Sequence, residues 1–467
     1  MRGITEAGSL AAEPGRQVSR RGFMGGSAAL AVGMTAATSA GTAWARTARV
    51  SSARGTRVRL TLPAPTGRHD IGTIALHLVD HSRQDPFLPD PQARELMISI
   101  WYPASGAGRF PLAPWIPPEA VSLLRAGLIP PPLVQVTEPG GNVVTQPGPP
   151  LAIPLDNVDF PVTDARLGGP TARSVTGCPV LLYSPGDETD REFSTAQAED
   201  LASHGYVVVT IDHTYEAPEV VFPGGRVEVQ VSPQPPITTV LTTRIADVRF
   251  VLSSLATLAS GANPDSRRRR LPAGLAGIMD LSRTGIFGHS LGGDTAAQTM
   301  AADDRISAGI DLDGSIIPTV PFTRANAGEL AGAVATRLGG KPFMIMSSDG
   351  HGPFAVPGRG EDPTMVGFWA NLTGWRLFLT MTGSQHLSYT DYEDFLSQLA
   401  AAGIISASQA AEVVSPYIGT IDPGQAFAAE RAYIRAFFDL QLRHSNHHLL
   451  DGPSDLYPQI EFLASGS

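Results

Sequence analysis

A glycine-flanked serine that interrupts an apolar run constrains this chain more than any other feature. Thr284-Gly285-Ile286-Phe287-Gly288-His289-Ser290-Leu291-Gly292-Gly293 leads an apolar strand into a tight turn, and the residues from Asp294 to Ala301 then suit a helix. Such a strand–turn–helix is a nucleophile elbow, in which the serine is lifted out of the strand on a strained backbone. Only small neighbours fit there, because a Cβ at position 288 or 292 would crowd the adjoining strand and helix. A chain with 49 glycines contains some G-x-S-x-G by chance, but rarely with this strand before it and this helix after it. The helix N-terminus points its free N–H groups and positive dipole end at the serine oxygen.

A serine hydroxyl is a poor nucleophile unless a base lies within hydrogen-bond reach, and the base needs an acid to fix its tautomer. Around an elbow of this kind the chain order is serine, acid, histidine. His386, in Gly383-Ser384-Gln385-His386 just beyond an apolar strand, is the expected base; His351, between Gly350 and Gly352, is the alternative. Two acids qualify. Asp349 follows the run Phe343 to Met346, and Asp313 ends Gly309-Ile310-Asp311-Leu312-Asp313. Strand alternation puts Asp311 and Asp313 on one side, but only the residue at the carboxyl end reaches the site. A tetrahedral oxyanion needs two converging N–H donors: that of Leu291, after the nucleophile, and one from the loop Ser184-Pro185-Gly186-Asp187-Glu188.

The rest of the chain supplies the frame. Alternating runs Ile74–Val79 and Leu96–Tyr102 predict two antiparallel strands. Fully apolar runs at Pro179–Tyr183 and Tyr206–Ile211, separated by a helix over Ala196–His204, predict parallel strands covered on both faces. The elbow strand, Ile306–Leu312, Lys341–Met346 and Trp375–Met381 bring the count to about eight, with further helices over Thr242–Leu258 and Ala426–Leu442. This order implies a mostly parallel, doubly wound α/β sheet. Between Phe110 and Gly177 the composition shifts to Pro, Gly and Thr, with a helix near Pro118–Ala126, as expected of a functional cover. Thr214–Thr239 reads as a hairpin or an excursion around Pro223-Gly224-Gly225.

Net charge of −10 argues against a nucleic-acid partner. Cys178 is the only cysteine, so no intrachain disulfide forms. His444, His447 and His448 lack nearby ligand-type residues in sequence, so neither a metal nor another cofactor is expected. The N-terminus carries Ser19-Arg20-Arg21-Gly22-Phe23-Met24, a mildly apolar stretch and Ala43-Trp44-Ala45. That order predicts a twin-arginine signal peptide over 1–45, its export machinery as a partner, and a secreted product. A linker over 46–57 then precedes one catalytic domain over 58–467. No later run of about 18 apolar residues offers a membrane span.

Several words occur in an order that resembles one family: Ile98-Ser-Ile-Trp-Tyr-Pro103, Trp115-Ile-Pro117, Leu201-Ala-Ser-His-Gly205, the elbow Gly288–Gly293, Gly309–Asp313, Gly383–His386 and Gly419-Thr-Ile-Asp422. The chain resembles the plasma-type (group VII) platelet-activating factor acetylhydrolases from about Ile98 to its C-terminus. The resemblance implies an α/β-hydrolase fold and hydrolysis of short or oxidised acyl groups at the sn-2 position of phospholipids. It also implies transient contact with a lipid interface. It favours Asp313 over Asp349 as the acid, and matching back from Leu201–Gly205 places the second oxyanion donor at Asp187. Here the chain departs from the family, which shows His-Gly and an apolar residue where this one has Pro185-Gly186-Asp187. A carboxylate aimed at an oxyanion would oppose it, so Asp187 is expected to point away, capping the next helix. Simple short-chain esters and polyesters, as taken by lipases or cutinases, are the alternative substrates. A non-catalytic lipid- or partner-binding role is the alternative of another class.

Overall fold

The computed structural model describes residues 57–137, 143–349, 351 and 362–466. The expected signal segment 1–45 and nearly all of the linker lie outside the described residues. Eleven strands form the main sheet. In chain order they are β1 (Asp70–Gln84), β2 (Ala93–Ala104), β3 (Leu112–Pro114), β4 (Val162–Leu167), β5 (Cys178–Ser184), β6 (Val207–Ile211), β7 (Met279–His289), β8 (Ile306–Leu312), β9 (Phe343–Ser348), β10 (Arg376–Met381) and β11 (Ile460–Gly466). Their order across the sheet is β11-β10-β9-β8-β7-β5-β6-β2-β1-β4-β3. The six strands from β6 to β10 across the middle are parallel, while β1 and β2 form the expected antiparallel pair.

Burial explains which strands the sequence displays. Val180, Leu181, Leu182 and Tyr183 of β5 and Val207, Val208 and Val209 of β6 are wholly buried, because helices cover both faces of a parallel sheet. All eight expected strands are present. The three additional ones, β3, β4 and β11, sit at or near the edges, and β4 and β11 alternate buried or half-buried with exposed residues, so their sequences carry no continuous apolar run.

The helices that matter for the site are α1 (Val121–Gly127), α2 (Thr195–Ser203), α3 (Ile237–Ala259), α4 (Leu291–Ala302), α5 (Arg324–Arg337), α6 (Pro363–Asn371), α7 (Tyr392–Ala401) and α8 (Pro423–Arg443). Helix α3 begins five residues earlier than the apolar periodicity suggests, with Pro236 at its N-cap, since proline suits a helix start. The excursion is a hairpin pairing Glu219–Phe222 with Arg226–Val229. Among the described residues no helix is long and apolar enough to cross a membrane.

The proline-rich stretch is more ordered than its composition implies: it supplies α1, β3, β4 and a hairpin pairing Leu133–Thr137 with Val143–Pro147. It also has a core of its own. Trp115, Leu124, Leu155 and Val158 pack with Phe193, Leu387, Tyr392 and Phe395. The Trp115 ring meets Phe193 and Phe395 edge-on at 5.1 and 4.8 Å, and its Nε1–H donates to Asp391 at 2.8 Å. The cover is thus bonded to the segment that follows β10.

Two acids behind the sheet stay neutral to unusually high pH. Burial pushes Glu199 on α2 and Glu430 on α8 up to about 8, and Glu430 accepts a hydrogen bond from Gln197 at 2.7 Å. A carboxyl raised in the fold contributes stability fully present below its ordinary range and lost as pH rises through about 8. Glu430→Gln should therefore leave the thermal midpoint near that of the parent at pH 5 and raise it by on the order of 5 °C at pH 8.5. Thermal denaturation across that range checks this; equal midpoints at both pH values would contradict it.

Candidate active site

The elbow is built by contacts between backbones. Ser290, between β7 and α4, has φ 56° and ψ −123°, a conformation that costs a non-glycine residue of order 1–3 kcal/mol. Tight packing holds it there. A methyl group at Gly288 would lie 2.3 Å from the Gly292 carbonyl, and one at Gly292 would lie 1.9 Å from the Ser184 carbonyl oxygen. The Ser290 N–H donates to Leu312 O at 2.8 Å, which ties the turn to the end of β8.

The structure brings Ser290, His386 and Asp313 together. His386 Nε2 is 3.0 Å from Ser290 Oγ, and His386 Nδ1 is 2.6 Å from Asp313 Oδ2. Asp313 lies just past β8 with φ 58° and is buried. Its Oδ1 accepts the Ser348 N–H at 2.5 Å, and its Oδ2 accepts the Ser348 hydroxyl at 3.0 Å. Burial alone would raise this carboxyl. The charge of His351 and hydrogen bonds from His351 and His386 outweigh burial and hold it far below the usual carboxylate range.

Asp349 has another task. Its carboxylate accepts the Gly383 N–H at 3.0 Å, and its carbonyl accepts Gln385 Nε2 at 3.1 Å, so it braces the loop that presents His386. The word Gly419–Asp422 braces the same loop, with Thr420 N–H donating to Gly383 O at 2.8 Å. His351 reaches Asp313 Oδ1 at 3.1 Å, on the other carboxylate oxygen from His386. Burial opposes its charge, but Asp313 raises it to about 9, so at neutral pH His351 is an imidazolium and cannot accept a proton. Asp311 turns to the Gly314 N–H at 2.8 Å, and burial lifts it to about 7.

Leu291 opens α4, and Gly186 and Asp187 line the cleft with Pro130, Ser290, His386, Leu387 and Tyr392. A methyl group on Gly186 would lie 3.4 Å from Ser290 Cβ, which puts the peptide leading to Asp187 beside the serine. The Asp187 side chain does not cap the next helix; Asp190 takes the N-cap position there. Burial raises the Asp187 carboxyl, against the pull of Arg244 and a hydrogen bond with Glu216.

His289 was not singled out by the sequence. Its buried Nε2–H donates to the His386 carbonyl at 2.7 Å, and burial pushes its pKa down to about 3, so it stays neutral. Its place inside the elbow is the only sequence signal it offers. Among the described residues, Asp313, His351 and His386 bring ligand-type atoms within 4.8 Å of one another. The histidines near the C-terminus do have carboxylate neighbours, His447 with Asp439 at 3.3 Å and His448 with Asp451 at 2.7 Å.

Asp313→Asn should lower kcat by on the order of 10⁴-fold, whereas Asp349→Asn should cost no more than about tenfold, since it only slackens the loop. Steady-state rates of the two variants decide between the acids. His351 carries a raised pKa, so the stability it adds is present below about pH 6.5 and is lost as pH rises through about 9. His351→Gln should therefore lower the thermal midpoint at pH 6 and have little effect at pH 10. An equal drop at both would mean that packing, not charge, holds the ring.

No protein-family model matches the chain. It is 26% identical over 419 residues to a probable 1-alkyl-2-acetylglycerophosphocholine esterase of Arthroderma benhamiae, covering 86% of this chain and 93% of that protein. It is 28% identical over 166 residues to the platelet-activating factor acetylhydrolase of Cavia porcellus, covering 30% of this chain and 36% of that one. Among solved structures it is similar to a ferulic acid esterase from Streptomyces cinnamoneus. The TM-score is 0.63 and the identity 32%, over 87% of this chain and 99% of that chain.

Proposed function

Because this chain belongs to the platelet-activating factor acetylhydrolase family of α/β-hydrolase esterases, we propose that it cleaves short or truncated acyl esters through an acyl-enzyme on Ser290. One observation carries this reading: the unbroken chain of hydrogen bonds from Ser290 Oγ through His386 to Asp313, with Ser290 and His386 lining a small cleft. His386 Nε2 takes the serine proton as Oγ attacks the ester carbonyl, while Asp313 holds Nδ1–H and steadies the imidazolium. The N–H groups of Leu291 and Asp187 receive the oxyanion, the former aided by the positive end of α4. Collapse returns the proton to the leaving alcohol, and water repeats the sequence in reverse roles to free the acid.

Pro130, Leu387 and Tyr392 give the cleft apolar walls beside the nucleophile. Such walls suit a small acyl group, and the sn-2 esters named for the curated relatives are the first substrates to try. A second reading, esters of hydroxycinnamic acids, is supported by the aromatic Tyr392 wall together with the ferulic acid esterase relative. Export by the twin-arginine route, with cleavage after Ala45, accompanies this proposal and rests on the N-terminal sequence alone.

Ser290→Ala should lose on the order of 10⁴-fold or more in turnover of a short-chain ester. Unchanged hydrolysis would mean another group does the chemistry. Comparing acetyl, butyryl, long-acyl and feruloyl esters, with and without a phosphocholine head, should give the highest kcat/KM for acetyl or butyryl phospholipid. A feruloyl optimum would favour the second reading. Incubation with EDTA should leave the rates as they are.

A further inference from the structure

Beneath the oxyanion loop lies a buried polar assembly to which no step above assigns a task. Its centre is Arg244 on α3, 1% exposed. Nη1 donates to Pro185 O at 2.6 Å and Nη2 to Gly186 O at 2.7 Å. Nε donates to Glu216 Oε2 at 2.8 Å, and Nη2 also bonds to Glu216 Oε1. Glu216, equally buried, accepts the Glu188 N–H at 3.1 Å. Three consecutive residues, Ser184 to Gly186, and Glu188 just beyond them are therefore engaged, the Ser184 hydroxyl lying 3.4 Å from Arg244 Nη1.

Ser184 extends the assembly. Its Oγ is 3.0 Å from His213 Nε2, and His213 Nδ1 is 3.0 Å from Asp247 Oδ2. These spacings resemble the 3.0 and 2.6 Å of the cleft trio, yet all three residues are 0–1% exposed, so no ester reaches them. Asp247 is anchored in turn by Arg94 Nη2 at 2.8 Å. The set is a fixed polar foundation, not a second active site.

Peptide geometry turns this foundation into an orienting device. In a planar trans peptide the C=O and the following N–H point in opposite directions. Arg244 draws the Gly186 carbonyl into the interior, so the N–H of Asp187, in the same peptide plane, faces the other way. A methyl group added to Gly186 would lie 2.9 Å from His289 Nδ1 and 3.4 Å from Ser290 Cβ, so this peptide borders the elbow, and Asp187 and Ser290 line the same cleft. No hydrogen bond from the Asp187 N–H to another part of the chain is found among the described residues.

We propose that Arg244 is a positioning residue of the oxyanion hole, which by holding the Pro185 and Gly186 carbonyls aims the Asp187 N–H at the developing oxyanion. This deepens the reading given under Proposed function and rests on it. Arginine suits the task because its planar fork engages two carbonyls and one carboxylate together, whereas a lysine ammonium has no such fork. Glu216 balances the buried charge and fixes the plane of the fork.

The test uses Arg244→Lys, Glu216→Gln and the charge-balanced double variant Arg244→Met/Glu216→Gln. Two quantities are compared with the parent: kcat and KM for p-nitrophenyl acetate, and inhibition by an alkyl trifluoromethyl ketone, which forms a tetrahedral adduct with the serine. Misdirecting one oxyanion donor costs about 10²–10³ in kcat. The double variant should lose that factor in kcat, with KM within about threefold, and bind the ketone more weakly by a similar factor. Arg244→Lys and Glu216→Gln should fall between it and the parent, all three keeping a native circular dichroism spectrum. Folded variants with kcat and ketone affinity within about threefold of the parent would overturn the proposal. So would an unfolded Arg244→Lys beside a folded Glu216→Gln of parental turnover, since Arg244 would then serve the fold alone. If the parent itself neither hydrolyses the ester nor binds the ketone, the reading of the site as an esterase fails instead.

Discussion

The close approach of two backbone reversals, Ser184–Gly186 and Gly288–Gly292, is the constraint on which the remaining geometry depends. The Ser184 carbonyl oxygen sits where any Cβ at position 292 would have to go. The two turns therefore meet backbone to backbone, with no side chain to act as a spacer. That contact holds Ser290 in a conformation it would not choose alone, and it sets the loop that carries Asp187 beside the turn that carries Leu291. The strain is local, and the six parallel strands and their buried valine- and leucine-rich faces absorb it. A rigid sheet is what makes a strained turn persist.

Charge organises the other half of the site. Asp313 is buried with one carboxylate oxygen on each of two histidines, and Ser348 adds further donors. A lone buried carboxylate would prefer to be protonated. Surrounded in this way it stays ionised, and its two imidazole partners divide the work. His351 carries a positive charge that offsets that of Asp313, while His386 faces the serine. The neutral His289 then fixes the backbone of His386 from below.

Much of this was legible from residues alone, and what was not had a physical reason. The six parallel strands announce themselves because burial on both faces demands apolar runs, and β1 and β2 because their alternation is long enough to read. The edge strands do not, because exposure on one side restores alternation in short segments. The choice between Asp313 and Asp349 was not decided by pattern, since both follow a parallel strand of the same sheet. The resemblance favoured Asp313, and the structure places that carboxylate against His386 and gives Asp349 to the Gly383 amide. Arg244 and Glu216 left no readable trace, and His289 left only its place inside the elbow. They act on backbone atoms 28 to 97 residues away, and a hydrogen bond to a carbonyl imposes no side-chain pattern at the far end.

The cover and the base also share a single piece of chain. The four residues His386–Tyr389 form one 3₁₀ turn, and Leu387 joins the core that holds Trp115, Leu124 and Leu155 of the proline-rich stretch. Tyr392, six residues after His386, stacks on Phe193 at 4.3 Å and also lines the cleft. Whatever shape the cover gives the substrate cleft is therefore transmitted to the residue that moves the proton. A change in the insertion large enough to admit a longer acyl chain would shift Leu387 and, through one turn of backbone, His386 itself. Cleft size and proton transfer are coupled by packing. Divergence in substrate range on this frame then calls for paired changes, one in the proline-rich stretch and one between Leu387 and Tyr392, not for a change in the cover alone.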